Sequence, residues 1–135
     1  MIQRIQTVYL VVAIFLNIVF FFSPLFVQAR MDTSEWMLPL ITAASAFAMV
    51  LSLYAVFLYK NRLRQIQITS YACLFQVIAI GSGAGIFLSM GRYSQDSIWE
   101  LAGVIALVFA LMFEFLAIRA IKSDIKLIKS MDRIR

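Results

Sequence analysis

Glu114 is the one carboxylic acid that lies deep within a long apolar stretch of this 135-residue sequence. Such a residue is a candidate functional site, because an ionised group in the hydrocarbon of a membrane is costly unless it is paired, neutral or hydrated. Five more polar side chains are expected at a similar depth or deeper in their own helices: Tyr9, Tyr54, Tyr71, Asn17 and Gln76. Together with Glu114 they form a candidate intramembrane polar site that could exchange a proton or contact a ligand.

The same residues also have a structural interpretation. Glu114 could hold helices together as a protonated acid, or pair with a basic residue that reaches in from the membrane surface. Asn17 and Gln76 could likewise form hydrogen bonds between helices. The sequence favours these structural roles and leaves the proton or ligand role open.

The composition excludes most catalytic chemistry. The chain has 63% apolar residues, only 14% charged residues, no His and a single cysteine, Cys73. An intramolecular disulfide, a zinc finger, catalysis by a Cys–His pair and a His-ligated metal site are therefore excluded. Since no other catalytic constellation is present, we expect neither an enzyme nor a bound cofactor or metal ion.

Four apolar segments are predicted to be transmembrane helices, at about residues 7–27, 36–59, 66–90 and 98–121. The first has no charge in 21 residues, and at about 1.5 Å per residue this length crosses a hydrocarbon core of roughly 30 Å. The sequence thus predicts an all-α membrane protein, a single domain of residues 1–135 in which two hairpins supply four transmembrane helices.

The basic residues indicate the orientation of these helices. Arg4, the second connection and the C-terminal segment together carry ten Lys or Arg, whereas the other two connections carry only Arg30 and Arg92. Because short basic segments stay in the cytoplasm, both termini are predicted to be cytoplasmic. Trp36 and Trp99, at the starts of the second and fourth segments, are then expected at the outer membrane interface.

Small residues at helical spacing predict where the helices pack, since close backbone approach drives helix association in lipid. The stripes are Ser45, Ala48 and Ser52 in the second segment, Gly81 and Gly85 in the third, and Gly103, Ala106 and Ala110 in the fourth. Glu114 continues the last stripe, so its side chain is predicted to point into the bundle.

Beyond the fourth segment, isoleucines alternate with basic residues. Lys122, Lys126, Lys129 and Arg133 recur at helical steps, beside a stripe of Ile residues. This pattern is typical of a basic amphipathic helix, predicted here for the tail at residues 122–135. We expect the tail to bind an anionic cytoplasmic lipid surface or a partner protein, and not nucleic acid, because it lacks interleaved aromatic residues.

A faint repeat with a spacing of 62 or 63 residues relates the two hairpins: Thr7 with Thr69, Tyr9 with Tyr71, Arg30 with Arg92, and Trp36 with Trp99. Hairpins of equal length would give some of these matches by chance. If the repeat is genuine, its axis runs along the membrane normal.

The two ends of the chain carry a family resemblance. The opening residues 1–10, MIQRIQTVYL, and the closing segments 119–124, RAIKSD, and 129–135, KSMDRIR, resemble the ends of a family of small four-span membrane proteins from Bacteroidetes, which is classed as a domain of unknown function. The resemblance implies a location in the bacterial inner membrane, four helices and no assigned activity.

Two functions fit these observations. The first is a non-enzymatic accessory or scaffolding subunit of a larger inner-membrane assembly, which contacts a membrane-protein partner or a second copy of itself. The alternative is a small proton-coupled transporter that uses Glu114. A water-filled path to Glu114 from both sides would favour transport, and a sealed bundle would favour the accessory role.

Overall fold

The fold is described by a computed structural model over residues 2–31, 36–89 and 97–132. Every long element in these ranges is a helix: α1 (Ile2–Phe21), α2 (Pro24–Ala29), α3 (Met37–Phe57), α4 (Arg62–Ser89) and α5 (Ser97–Asp132). The prediction of an all-α protein is confirmed for these parts of the chain.

Three stretches are long and apolar enough to cross a membrane, namely Met37–Phe57, Arg62–Leu88 and Ile98–Met131. α1 contributes a shorter apolar stretch, Ile5–Phe21. The outer surface is also apolar, since Phe15, Leu74 and Phe115 are each more than half exposed. Several polar side chains, by contrast, are buried inside. This distribution is unsuited to water and is that of a protein dissolved in lipid.

The predicted first span is not one continuous helix. α1 ends at Phe21 and α2 starts at Pro24, with two residues between them. Proline lacks a backbone N–H and disfavours helical geometry in the preceding residue, so Pro24 can begin a helix but interrupts one. The Ser23 hydroxyl accepts a hydrogen bond of 3.4 Å from the Phe26 N–H, in the manner of an N-cap. The expectation of one helix over 7–27 is therefore corrected.

The later helices extend past the predicted segments at the basic end of the bundle. α4 begins at Arg62, four residues before the predicted start. α5 is a single helix of 36 residues that continues from the fourth segment into the tail. Residues 133–135, which include Arg133, lie outside the described residues.

The helices form an up-and-down bundle in which α1 packs against α3 and α5, and α4 also packs against α3 and α5. Gln6, near the start of α1, donates a hydrogen bond to Asp124, near the end of α5. Ser23, beyond the other end of α1, lies against Gly103 near the start of α5. These helices are therefore antiparallel. We call the end that contains Gln6 and Asp124 the tail end.

Two apolar layers enclose a polar one. Leu10, Ala55 and Ala117 form a buried cluster near the tail end. A larger cluster near the opposite end includes Phe20 and Leu107. The buried polar residues in the middle of α1, α3, α4 and α5 lie between these clusters along each helix, so both ends of the polar layer are covered by apolar side chains.

The stripes of α3 and α5 lie in the interior: Ser45, Ala48, Ser52, Gly103, Ala106 and Ala110 are all buried. Among the described glycines, Gly103 has the closest neighbours: an added Cβ would lie 2.7 Å from Ser23 Oγ and 3.1 Å from Leu25 Cβ. The lack of a side chain at Gly103 thus lets α5 pack directly against the break between α1 and α2.

Gly81 and Gly85 do not pack inside the bundle, contrary to the expectation for the stripe of α4. None of the described residues places an atom within 4 Å of a Cβ added at either glycine. Gly83 faces the interior instead, where an added Cβ would lie 3.3 Å from Ile41 Cδ1. Residues two positions apart are separated by about 200° around a helix, so Gly81 and Gly85 face outward when Gly83 faces inward.

Candidate functional site

Glu114 lies in the middle of α5 with a fully buried side chain. Its Oε1 accepts a hydrogen bond of 2.9 Å from the Ser52 hydroxyl of α3. The buried thiol of Cys73 in α4 is a second polar neighbour of the carboxyl group. The acid therefore joins three helices at the centre of the bundle. The spacing of small residues indicated only helix packing for Ser52, and no sequence pattern indicated that Cys73 belongs to the site.

The three tyrosines expected near Glu114 do not surround it. Tyr54 and Tyr71 are 52% and 56% exposed on the outer surface. Tyr9 is half-buried, and its ring centroid lies 6.2 Å from that of Phe113. A shared depth does not bring side chains together when they point to opposite sides of their helices. The expected cluster of hydroxyl groups around Glu114 is therefore wrong for Tyr54 and Tyr71.

Gln76 and Asn17 are both fully buried in the polar layer. The Gln76 amide donates a hydrogen bond of 3.1 Å to the backbone carbonyl of Leu107, which connects α4 to α5. The Asn17 amide instead donates to the carbonyl of Ala13 in its own helix, at 3.0 Å. An interhelical bond was expected at Asn17 as well, but its short side chain reaches the carbonyl one turn back.

A second group of buried polar contacts, at the tail end, was missed by sequence analysis. Gln6 of α1 bonds to Asp124 of α5, and both side chains are buried. The Gln65 amide of α4 donates a hydrogen bond of 3.0 Å to the carbonyl of Ala55 in α3. The burial of Asp124 could have been predicted from its position in α5. Steps of three and four residues continue the buried stripe of this helix to Asp124: Glu114, Ala117, Ile121 and Asp124.

Four buried acceptor atoms have no hydrogen-bond partner within the described part of the chain: Asn17 Oδ1, Gln65 Oε1, Gln76 Oε1 and Glu114 Oε2. Buried polar atoms in proteins are normally satisfied, so these oxygens are where a proton, a water molecule or a cation could bind. Among the described residues, no group of three His, Cys, Asp or Glu side chains could hold a metal ion.

The predicted basic residues of the tail lie on the outside of α5, with Lys122, Lys126 and Lys129 exposed. The apolar face becomes uncovered along the same helix, since Ile121 is fully buried whereas Ile128 is 40% exposed. The start of the tail is thus part of the bundle, and its last turns carry exposed apolar and basic side chains together.

One protein family, described as Domain of unknown function (DUF4293), matches residues 2–134. The chain belongs to the DUF4293 family. No curated protein and no solved structure matches it. Because the match extends from α1 to α5, Glu114 and the residues around it lie within the DUF4293 domain, whose description assigns no activity.

Proposed function

We propose that this DUF4293 protein is a non-enzymatic accessory or scaffolding subunit of a larger assembly in a bacterial inner membrane. It crosses the membrane four times with both termini in the cytoplasm, and it docks against a transmembrane helix of a membrane-protein partner. The tail end of the bundle is then the cytoplasmic end, in keeping with its basic residues.

The outward glycines of α4 carry this proposal. No described residue would lie within 4 Å of a Cβ added at Gly81 or Gly85, and Leu74, Ile78 and Leu88 beside them are 61%, 45% and 76% exposed. We call these five residues the glycine face. In lipid, helices associate where small residues let their backbones come close. A second helix could therefore lie across the glycine face with its side chains between the flanking apolar residues.

The environment of Glu114 supports a structural role over transport. The carboxyl group is fully buried, it accepts a hydrogen bond from Ser52, and apolar clusters cover it on both sides along the bundle. An acid enclosed in this way stabilises the packing of α3, α4 and α5. The interior is then a rigid support for surfaces that contact a partner.

The proposal predicts that a double variant, Gly81→Leu and Gly85→Leu, loses the partner and keeps the fold. A side chain added at either position would contact no described residue of this chain within 4 Å of its Cβ, but it would prevent the close approach of a second helix. The experiment is affinity capture of the full chain from native membranes in mild detergent, with recovered proteins quantified. We expect a co-purifying membrane protein to fall by roughly tenfold, as when an interface hot spot is lost.

Ala43→Leu is the control, because it also places a leucine side chain at an exposed small residue, but on α3. This variant should recover the partner as the wild type does. Equal recovery by the wild type and the glycine double variant, with both folded, would contradict docking through the glycine face.

The unpartnered oxygens favour a second function, a small proton-coupled transporter. Glu114 Oε2, Gln76 Oε1 and Asn17 Oδ1 are buried acceptors in one polar layer. Water molecules bound to such atoms could pass a proton to the carboxyl group. In proteoliposomes with an imposed pH gradient, this function predicts proton flux that Glu114→Gln abolishes and Ser52→Ala retains. The accessory role predicts no flux above that of empty vesicles.

A further inference from the structure

A groove at the tail end lies between the α3–α4 connection and the exposed part of α5. It has a volume of about 580 Å³. Its wall on one side is the continuous segment 59–63, and on the other side it is formed by Ile125, Ile128 and Lys129. We call it the tail groove. Neither Glu114 nor the glycine face contributes to it.

The tail groove is basic, judged by its described lining residues. Lys60, Arg62 and Lys129 line it, and no Asp or Glu is among its described lining residues. Of the two acids of α5 near the groove in sequence, Asp124 is buried and bonded to Gln6, and the side chain of Asp132 lies outside the described residues. Arg62 Nη1 is buried and has no hydrogen-bond partner among the described residues, so a change of its side-chain rotamer would bring this N–H to a ligand in the groove. The groove therefore combines three cationic side chains with an unused guanidinium N–H, which is the donor chemistry that recognises phosphate.

Apart from Asn61, the remaining lining residues of the tail groove are aliphatic or aromatic. Tyr59 from the α3–α4 connection and Leu63 from the first turn of α4 line it together with Ile125 and Ile128 from α5. The α3–α4 connection directly follows one membrane-crossing stretch, Met37–Phe57, and precedes another. The groove consequently lies where hydrocarbon gives way to headgroups, with apolar side chains and cations side by side.

We propose that the tail groove is a binding site for the phosphate headgroup of an anionic phospholipid. Arg62 turns its unused N–H towards the phosphate, Lys60 and Lys129 supply further positive charge, and the acyl chains extend along the apolar side chains into the bilayer. A free phosphate ion would leave those apolar residues unfilled. Basic pockets at the ends of transmembrane helices are suited to such headgroups, and this site does not depend on which leaflet holds the tail end.

The test compares two double variants that each remove two positive charges from the same two elements. Arg62→Gln with Lys129→Gln removes charges that line the tail groove. Arg64→Gln with Lys126→Gln removes exposed charges outside it. The full chain in detergent is titrated with phosphatidylglycerol, with phosphatidylcholine or with inorganic phosphate, and bound molecules are counted by native mass spectrometry.

We expect the wild type to bind phosphatidylglycerol more tightly than phosphatidylcholine. The groove variant should lose roughly tenfold or more in affinity for phosphatidylglycerol, since charge-assisted hydrogen bonds are lost, whereas the control variant should lose less than about threefold. Equal losses of phosphatidylglycerol affinity in both variants would show that the lipid is attracted by the overall positive charge and not by the groove, and would overturn the proposal. Binding of inorganic phosphate alone, without lipid selectivity, would also overturn it. Lys129→Gln alone, on an exposed part of α5, repeats the comparison if the double variant fails to fold.

Discussion

At the scale of single residues, Glu114 shows what sequence can and cannot predict. Its spacing from Ala110 and Ala117 indicates the inward direction, because all three share one face of a helix. Its hydrogen-bond partner, however, could not be predicted from the depth of the neighbouring residues in their helices. Tyr54 lies two positions from Ser52, so it points about 200° away from the hydroxyl that reaches the acid. Choosing between them needs the rotation of α3 about its axis, which only the packing of the whole bundle determines.

Glu114→Gln should change the stability of the bundle little. The Ser52 hydroxyl, which is now 2.9 Å from Oε1, can donate to the amide oxygen in the same place. Hydrogen bonds between transmembrane helices contribute on average only about 0.6 kcal/mol, so we expect the free energy of unfolding to change by less than about 1 kcal/mol. Denaturant titration in detergent measures this change.

Ser52→Ala is the matched comparison, since it removes the donor and keeps the acid. It should have an equally small effect. A loss above roughly 3 kcal/mol for Glu114→Gln alone would mean that an ionised carboxylate is an essential part of the fold, as for one member of a buried charge pair.

At the scale of the helices, substitution by alanine should have opposite effects on stability at a glycine packed between helices and at a glycine on the outer surface. Gly103→Ala places a methyl group 3.1 Å from Leu25 Cβ and 2.7 Å from Ser23 Oγ. Overpacking of this kind costs typically 1–3 kcal/mol, so thermal unfolding in detergent should occur at lower temperature. Gly81→Ala adds a methyl group in open space, and it should leave the unfolding temperature unchanged or raise it, because Ala favours the helix. Destabilisation by Gly81→Ala would mean that the glycine face is covered within the protein.

The break between α1 and α2 is encoded by two residues, Ser23 and Pro24, which an average of hydropathy over the whole segment does not detect. Residues 7–27 are uniformly uncharged, so their composition predicts one span. Pro24 and the preceding Ser23 nevertheless carry the start of a new helix, and the hydrogen bond to Phe26 uses that serine. Turn chemistry at a single dipeptide overrides the average over a window of about 20 residues.

The sequence pattern predicted a helical tail that continues the fourth segment, and α5 is a single helix as far as Asp132. A helix of 36 residues is about 54 Å long at 1.5 Å per residue, whereas a hydrocarbon core is roughly 30 Å thick. Its last turns therefore extend beyond the hydrocarbon. Exposed Leu127 and Met131 there are available to a lipid surface or to a partner.

At the scale of the whole molecule, the buried face of α3 recurs in α5 with a spacing of 62 residues. The pairs are Ile41 with Gly103, Ala44 with Ala106, Ser45 with Leu107, Ala48 with Ala110, Ser52 with Glu114, and Ala55 with Ala117, and each member is buried. Three of the four residue pairs of the faint sequence repeat have this same spacing of 62 residues. The bonded pair Ser52 and Glu114 occupies equivalent positions of the two hairpins, as expected for related halves whose axis runs along the bundle.

The proposed orientation of the bundle, with the tail end in the cytoplasm, decides which partner and which leaflet the protein can meet. Single cysteines at Ser94→Cys and Asn61→Cys, each with Cys73→Ala, test it on intact cells with a membrane-impermeant maleimide. The positive-inside asymmetry predicts that position 94 is labelled from outside, and that position 61 is labelled only after the membrane is permeabilised. Labelling of position 61 but not position 94 in intact cells would show the opposite orientation.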